Sequence, residues 1–144
     1  MTRALLILLP ILLMGCNSEP APPPGANVRV VPSGDAVMAK AISDAKANLS
    51  TFKAFLANPP KGSYLGVKVK MTAPTGTEHI WITDVSFANG KVKGKLDNDP
   101  VYLSKKTGDW VEVPESDLSD WVVFDAQGER VMGGYTIDAI EQSR

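Results

Sequence analysis

Cysteine and histidine are nearly absent. The chain has one of each in 144 residues, Cys16 and His79. A lone cysteine excludes an internal disulfide, and past Cys16 it excludes cysteine-based metal ligation and a thiol nucleophile. A lone histidine makes a poor zinc centre, because zinc takes three or four N, S or O ligands. Charge of one sign is also missing. The formal net charge is −1, which argues against nucleic acid as a partner, since that surface is normally basic. No apolar run approaches the roughly 20 residues needed for a transmembrane helix. No glycine-rich stretch has the GxGxxG or GxxxxGK[ST] spacing of a phosphate loop.

What is present divides the chain into three. Residues 1–15 have the layout of a secretory leader: Arg3 near the amino terminus, an apolar segment from Ala4 to Leu13 interrupted by Pro10, then Leu13-Met14-Gly15-Cys16. Those four residues resemble a bacterial lipobox. The pattern predicts cleavage after Gly15 and acylation of Cys16. A cysteine of that kind carries a diacylglyceryl group and an N-acyl chain, and two or more chains anchor a protein stably. Asn17, rather than Asp, follows the cysteine. The resemblance to bacterial lipoproteins therefore favours the outer membrane, facing the periplasm. Residues 16–34 hold Pro20, Pro22, Pro23, Pro24 and Pro32 and read as a semi-rigid tether of about 3.1 Å per residue where extended. Val28-Arg29-Val30-Val31 within it is either an edge strand or the point where the tether docks. Residues 35–144 are expected to form one globular domain.

In that domain, Met38, Ala41 with Ile42, Ala45, Leu49, Phe52 and Leu56 recur at spacings of three and four. The spacing predicts one long helix over Asp35–Ala57, capped by Asp35 or Ser33 and stopped by Asn58-Pro59-Pro60. Leu65–Met71 alternates as a half-buried strand. Glu78–Phe87 shows two competing parities, so either both faces are covered or a bulge near Asp84 changes register. Asn89-Gly90 predicts a tight hairpin pairing Phe87 with Val92, Val85 with Gly94 and Thr83 with Leu96. Gly94 is expected to lie under a bulky neighbour, Trp81 being the nearest. Val101–Leu103, Trp110–Val113, Trp121–Asp125 and Arg130–Met132 read as further short strands. Thr136 is placed to cap a final helix through Gln142. The order predicts an α+β fold: one long N-terminal helix on a curved, mainly antiparallel sheet of five or six strands, closed by a short helix. Charge is uneven along the domain. All of its lysines lie before Thr107, whereas Thr107–Arg144 is predominantly acidic. The simplest reading is that basic strands lie beside acidic ones.

An ordered set of short motifs adds a resemblance. His79-Ile80-Trp81-Ile82, Gly94-Lys95-Leu96-Asp97-Asn98-Asp99-Pro100, Gly108-Asp109-Trp110-Val111, Asp120-Trp121 and Gly133-Gly134-Tyr135-Thr136 together resemble the YegJ-like bacterial domain. The helix ending Phe52 to Leu56 fits as well, and the likeness spans roughly residues 36–140. That family is a domain of unknown function, found in some cases on lipoproteins, and it implies no catalytic residue or cofactor here. It marks His79, Trp81, Gly94, Asn98, Gly108, Asp109, Asp120 and Trp121 as signature positions.

From these the candidate binding positions are His79, Trp81, Asn98, Asp109, Trp110, Asp120 and Trp121, beside the lipidation site Cys16. Trp110 is the expected surface tryptophan, because it alternates with Val111 and Val113. His79 has no neighbour at catalytic spacing. Glu78 points to the opposite face of the strand, and Thr83 lies about 13 Å along it. Asp97-Asn98-Asp99 lacks the rest of a calcium loop and is explained by turn formation. No catalytic residue, metal or cofactor is therefore assigned. The expected function is a membrane-anchored envelope lipoprotein whose domain binds a protein or cell-wall partner without catalysis, with the lipid bilayer engaged through Cys16. Two alternatives stand beside it: an envelope hydrolase using a polar cluster of His79, Asn98, Asp109 and Asp120, and protection against a toxin delivered into the periplasm.

Overall fold

The computed structural model describes residues 29–32 and 34–143. The leader, Cys16 and the tether through residue 28 lie outside the described residues. Within them the elements are α1 (Ala36–Ala47), α2 (Leu49–Ala57), β1 (Tyr64–Ala73), β2 (Gly76–Ala88), β3 (Lys91–Leu96), β4 (Trp110–Pro114), a 3₁₀ turn at Glu115–Asp117, β5 (Leu118–Phe124), β6 (Arg130–Gly133) and α3 (Tyr135–Gln142). The strands form one open antiparallel sheet in the order β4-β3-β2-β1-β5-β6. The α+β class read from the sequence is the one observed. Arg29–Pro32 forms no strand, and Val30 is exposed.

The single long helix is corrected to two. Asp35 caps α1 as expected, its carboxylate accepting from Met38 N at 2.9 Å. At Asn48 the backbone leaves the helical region (φ −103°, ψ 10°). The Asn48 side chain donates to the Asp44 carbonyl at 2.8 Å, offering that oxygen a partner outside the helical ladder. The apolar stripe still runs across the break. Ala41, Ala45, Leu49 and Phe52 are buried against one face of the sheet, where Val67, Ile82, Leu96, Leu118, Trp121 and Val123 also point. Trp121 anchors this layer. Its ring is fully buried 5.6 Å from Phe52, and its indole N–H donates to the Ala45 carbonyl at 2.8 Å. Burial of a side chain this large contributes on the order of 3 kcal/mol.

The β2–β3 hairpin turns at Asn89 (φ 51°) and Gly90 (φ 71°), the two positive φ values of a tight primed turn. Phe87 pairs with Val92 as expected. Beyond that the register differs: Thr83 pairs with Lys95 and Ile82 with Leu96. Asp84 and Val85 together oppose Gly94, a bulge with Asp84 at φ 50°. The bulge resolves the two parities of this strand, because it returns Val85 and Phe87 to the face of Ile80 and Ile82. It also corrects the reason for Gly94. A Cβ there would meet the Thr83 carbonyl oxygen at 2.7 Å, with Ile82 and Val85 at 3.0 Å, and Trp81 is not among the close neighbours.

Two further expectations are overturned. Val101–Leu103 is not a strand; residues 97–109 form a loop. Thr136 does not cap α3. The chain enters that helix through Gly134 at φ 82°, and the first amides are taken by the carboxylate of Asp120 on β5.

Candidate functional site

The second face of the sheet carries His79, Trp81, Trp110 and Asp120. Cross-strand register sets Trp81 of β2 beside Lys68 of β1, and Lys68 beside Asp120 of β5. Where α3 packs over β5 this face is closed. Asp120 is fully buried and accepts from Trp121 N (2.8 Å), Tyr135 N (3.1 Å), Thr136 N (2.8 Å) and the Thr136 hydroxyl (2.6 Å). Lys68 Nζ donates to Thr136 Oγ1 at 3.0 Å and lies 5.0 Å from the Trp81 ring centre. Burial holds the Lys68 ammonium below its usual pKa, while the Asp120 charge acts in the opposite direction. A depressed lysine can serve as a base or nucleophile. This one is bonded into a network, and among the described residues no buried side-chain polar atom lacks a partner.

His79 is exposed, with Nδ1 2.9 Å from the Ser119 hydroxyl. Ser119 is almost completely buried, and its hydroxyl lies 3.3 Å from the Lys68 carbonyl. Whether that carbonyl or Nδ1 takes the hydroxyl proton depends on the imidazole tautomer. A nucleophilic serine also needs an open approach, which the burial of Ser119 denies. Among the described residues no three His, Asp, Glu or Cys side chains converge as a metal site.

Next to this cluster lies a shallow cavity of 440 Å³ bordered by Tyr64, Trp81, Asp97, Val122, Phe124 and Ile137. Tyr64 donates to Asp97 at 2.9 Å, and burial together with that carboxylate pushes its phenol pKa upward.

Away from α3 none of the described residues covers this face, and β3 and β4 line it with alternating polar residues. Trp110 on the edge strand is 49% exposed and pairs with Lys95. Lys93 Nζ and Lys95 Nζ lie 5.1 and 5.2 Å from its ring centre, within cation–π range. Asp84, turned outward by the bulge, pairs with Lys95 at 2.9 Å. Glu112 pairs with Lys91 at 2.9 Å; this contact lowers the carboxyl pKa and raises that of the ammonium.

The 97–109 loop is held from inside. Glu78, on the buried parity of β2, accepts from Val101 N (3.0 Å) and Tyr102 N (2.9 Å). Asp99 accepts from both the amide and hydroxyl of Thr107 at 2.8 Å, which depresses its pKa. Asp109 accepts from Lys106 N at 2.9 Å. Sequence reasoning set Glu78 aside as a poor partner for His79. The available signal was an acid sharing the parity of Ile80 and Ile82.

Comparison with known proteins bears on this arrangement. A family model described as "Uncharacterized protein conserved in bacteria (DUF2314)" matches residues 35–143. The chain belongs to the DUF2314 family. It is 33% identical over 104 residues to "Uncharacterized protein YegJ" of Escherichia coli (strain K12), across 72% of this chain and 66% of that protein. It is 41% identical over 64 residues to "Putative ankyrin repeat protein NMB1133/NMB1171" of Neisseria meningitidis serogroup B (strain ATCC BAA-335 / MC58), covering 44% of this chain and 24% of that one. The chain thus spans just under two thirds of the first relative and about a quarter of the second. No solved structure matches. The likeness to the YegJ-like domain read from the motifs therefore holds.

The DUF2314 domain scatters the candidate binding positions. His79, Trp81 and Trp110 share the second face, and Asp120 has the same parity but is sealed beneath α3. Asn98 and Asp109 lie exposed on the 97–109 loop, and Trp121 is in the core on the other side of the sheet. Among these, His79, Trp81 and Trp110 are open to a ligand on one surface.

Proposed function

We propose that this chain is an acyl-anchored lipoprotein of the bacterial envelope whose DUF2314 domain binds another macromolecule without catalysing a reaction. The observation that carries the reading is the half-exposed Trp110, flanked by Lys93 and Lys95 on an otherwise polar sheet face. An exposed indole among long cations is the composition of an interface anchor. The polar groups a hydrolase would use are engaged elsewhere or closed off: Asp120 caps α3, and Ser119 is almost completely buried. The lipobox-like Leu13-Met14-Gly15-Cys16 supports attachment, Asn17 supports the outer membrane, and the prolines of 20–24 support a reach of tens of Å from the bilayer. Register shifts in three strand pairs support a sheet that curls around α1 and α2.

Attachment is tested by fractionating cells that express C16S. The domain should move from the membrane fraction to the soluble periplasm, and continued membrane association would overturn the anchor. Binding is tested by placing a photoreactive amino acid at position 110 in the intact lipoprotein and irradiating cells. A discrete adduct should form from position 110 and not from position 40, on the exposed side of α1. Equal labelling from both positions, or none from 110, would refute the binding face.

A further inference from the structure

The surroundings of Trp110 are more specific than a basic patch. Asp84 takes a left-handed backbone conformation, uncommon for a non-glycine residue though most tolerated by Asp and Asn. The bulge that creates it requires a residue without a Cβ at position 94. These two departures from regular sheet set one outcome: an Asp84 carboxylate bonded to Lys95, which itself lies over the exposed indole. Lys93 lies over the same ring and makes no ion pair among the described residues, although Glu112, bonded to Lys91, stands opposite it across the strands and feels its charge.

Each group has a complement on one kind of ligand. An indole face accepts the apolar C–H face of a pyranose ring. A fixed Asp–Lys pair offers an acceptor and a donor side by side, which suits vicinal hydroxyls. An ammonium outside any ion pair suits a carboxylate. Resting on the binding-module reading above, we propose that Trp110, Lys93, Lys95 and Asp84 form a binding site for an acidic sugar unit of an envelope glycan. Anionic membranes and nucleic acids fit less well. Their attraction grows with the number of uncompensated cations, and here Lys91 and Lys95 are already neutralised by Glu112 and Asp84.

The test uses the full chain purified in detergent and titrated calorimetrically with oligouronates from alginate. Neutral gluco-oligosaccharides of equal length, phosphatidylglycerol vesicles and a single-stranded oligonucleotide are run in parallel. Oligouronate should bind at least tenfold more tightly than the neutral sugar. W110A should weaken it by roughly tenfold or more, as removal of an aromatic anchor does, and K93M by several-fold. K40M, on the exposed side of α1, should leave it unchanged. If W110A does not fold, K93M and W110F carry the comparison. The proposal is overturned if oligouronate binds no better than neutral sugar, if W110A and K93M leave its affinity intact, or if vesicles or oligonucleotide bind as tightly through Trp110. A position-110 adduct to a protein without oligouronate binding refutes the glycan alone; loss of both results refutes the binding module as well.

Discussion

Asp120 shows how a polar signature residue can be structural. Its carboxylate has no exposure and accepts four hydrogen bonds, two of them from the first amides of α3. Removing it strands those donors beside a half-buried lysine. D120A should lose about 3–5 kcal/mol of stability, the scale for breaking a buried charged pair, and D120N less; urea denaturation measures both. The sequence showed that Asp120 was polar and adjacent to a core tryptophan. Its role was illegible because its partners lie 15 and 16 positions downstream and meet it only once α3 is docked. Lys68 has a pH signature. Its folded pKa lies below the unfolded value, so between the two the unfolded chain binds the extra proton and stability rises with pH. The wild-type protein should therefore gain stability relative to K68M as pH is raised towards 10.5. A constant difference between their urea midpoints over that range would contradict a depressed Lys68.

At the scale of elements, periodicity recovered what packing decides and missed what hydrogen bonding decides. The stripe from Met38 to Leu56 keeps helical spacing through Asn48, so nothing in the apolar pattern marks the break there; at that point the Asp44 carbonyl accepts from both the backbone and the side-chain N–H of Asn48, and the Ala45 carbonyl accepts from the Trp121 indole. The Asn89-Gly90 turn was legible because few residue pairs tolerate two positive φ values. The register beyond it was not, because the two parities of Glu78–Phe87 fit covered faces as well as the bulge found at Asp84. Val101–Leu103 has strand composition, yet Glu78 takes the amides of Val101 and Tyr102 that a ladder would use. E78Q replaces an oxygen that accepts one of these amides with an amide nitrogen that cannot. It should loosen the loop by about 1–3 kcal/mol, seen as faster hydrogen exchange at Val101 and Tyr102 with β1 amides little changed. Unaltered exchange would show that the loop is held by Asp99 and Asp109 instead.

At the scale of the molecule, the basic first part and acidic last part of the domain do meet. Lys53 pairs with Glu115, Lys91 with Glu112, and Lys46 Nζ donates to the Ser116 carbonyl. The outward position of Trp110 was legible from its alternation with Val111 and Val113. Its company was not, because Lys93, Lys95 and Asp84 reach it through the pairing of three strands.

The strand order has a kinetic consequence. β1 to β4 form a meander in which each strand pairs with the next, whereas β5 must return to β1, joining Val69 to Leu118. Closing that loop of roughly 50 residues costs more chain entropy than closing a two-residue turn. The meander should nucleate folding, leaving the docking of Trp121 as the late event that completes the core. In stopped-flow experiments V92A should mainly slow refolding, whereas W121F should mainly hasten unfolding. The open face would then be assembled first, and the tryptophan on the opposite side of the sheet would lock it in place.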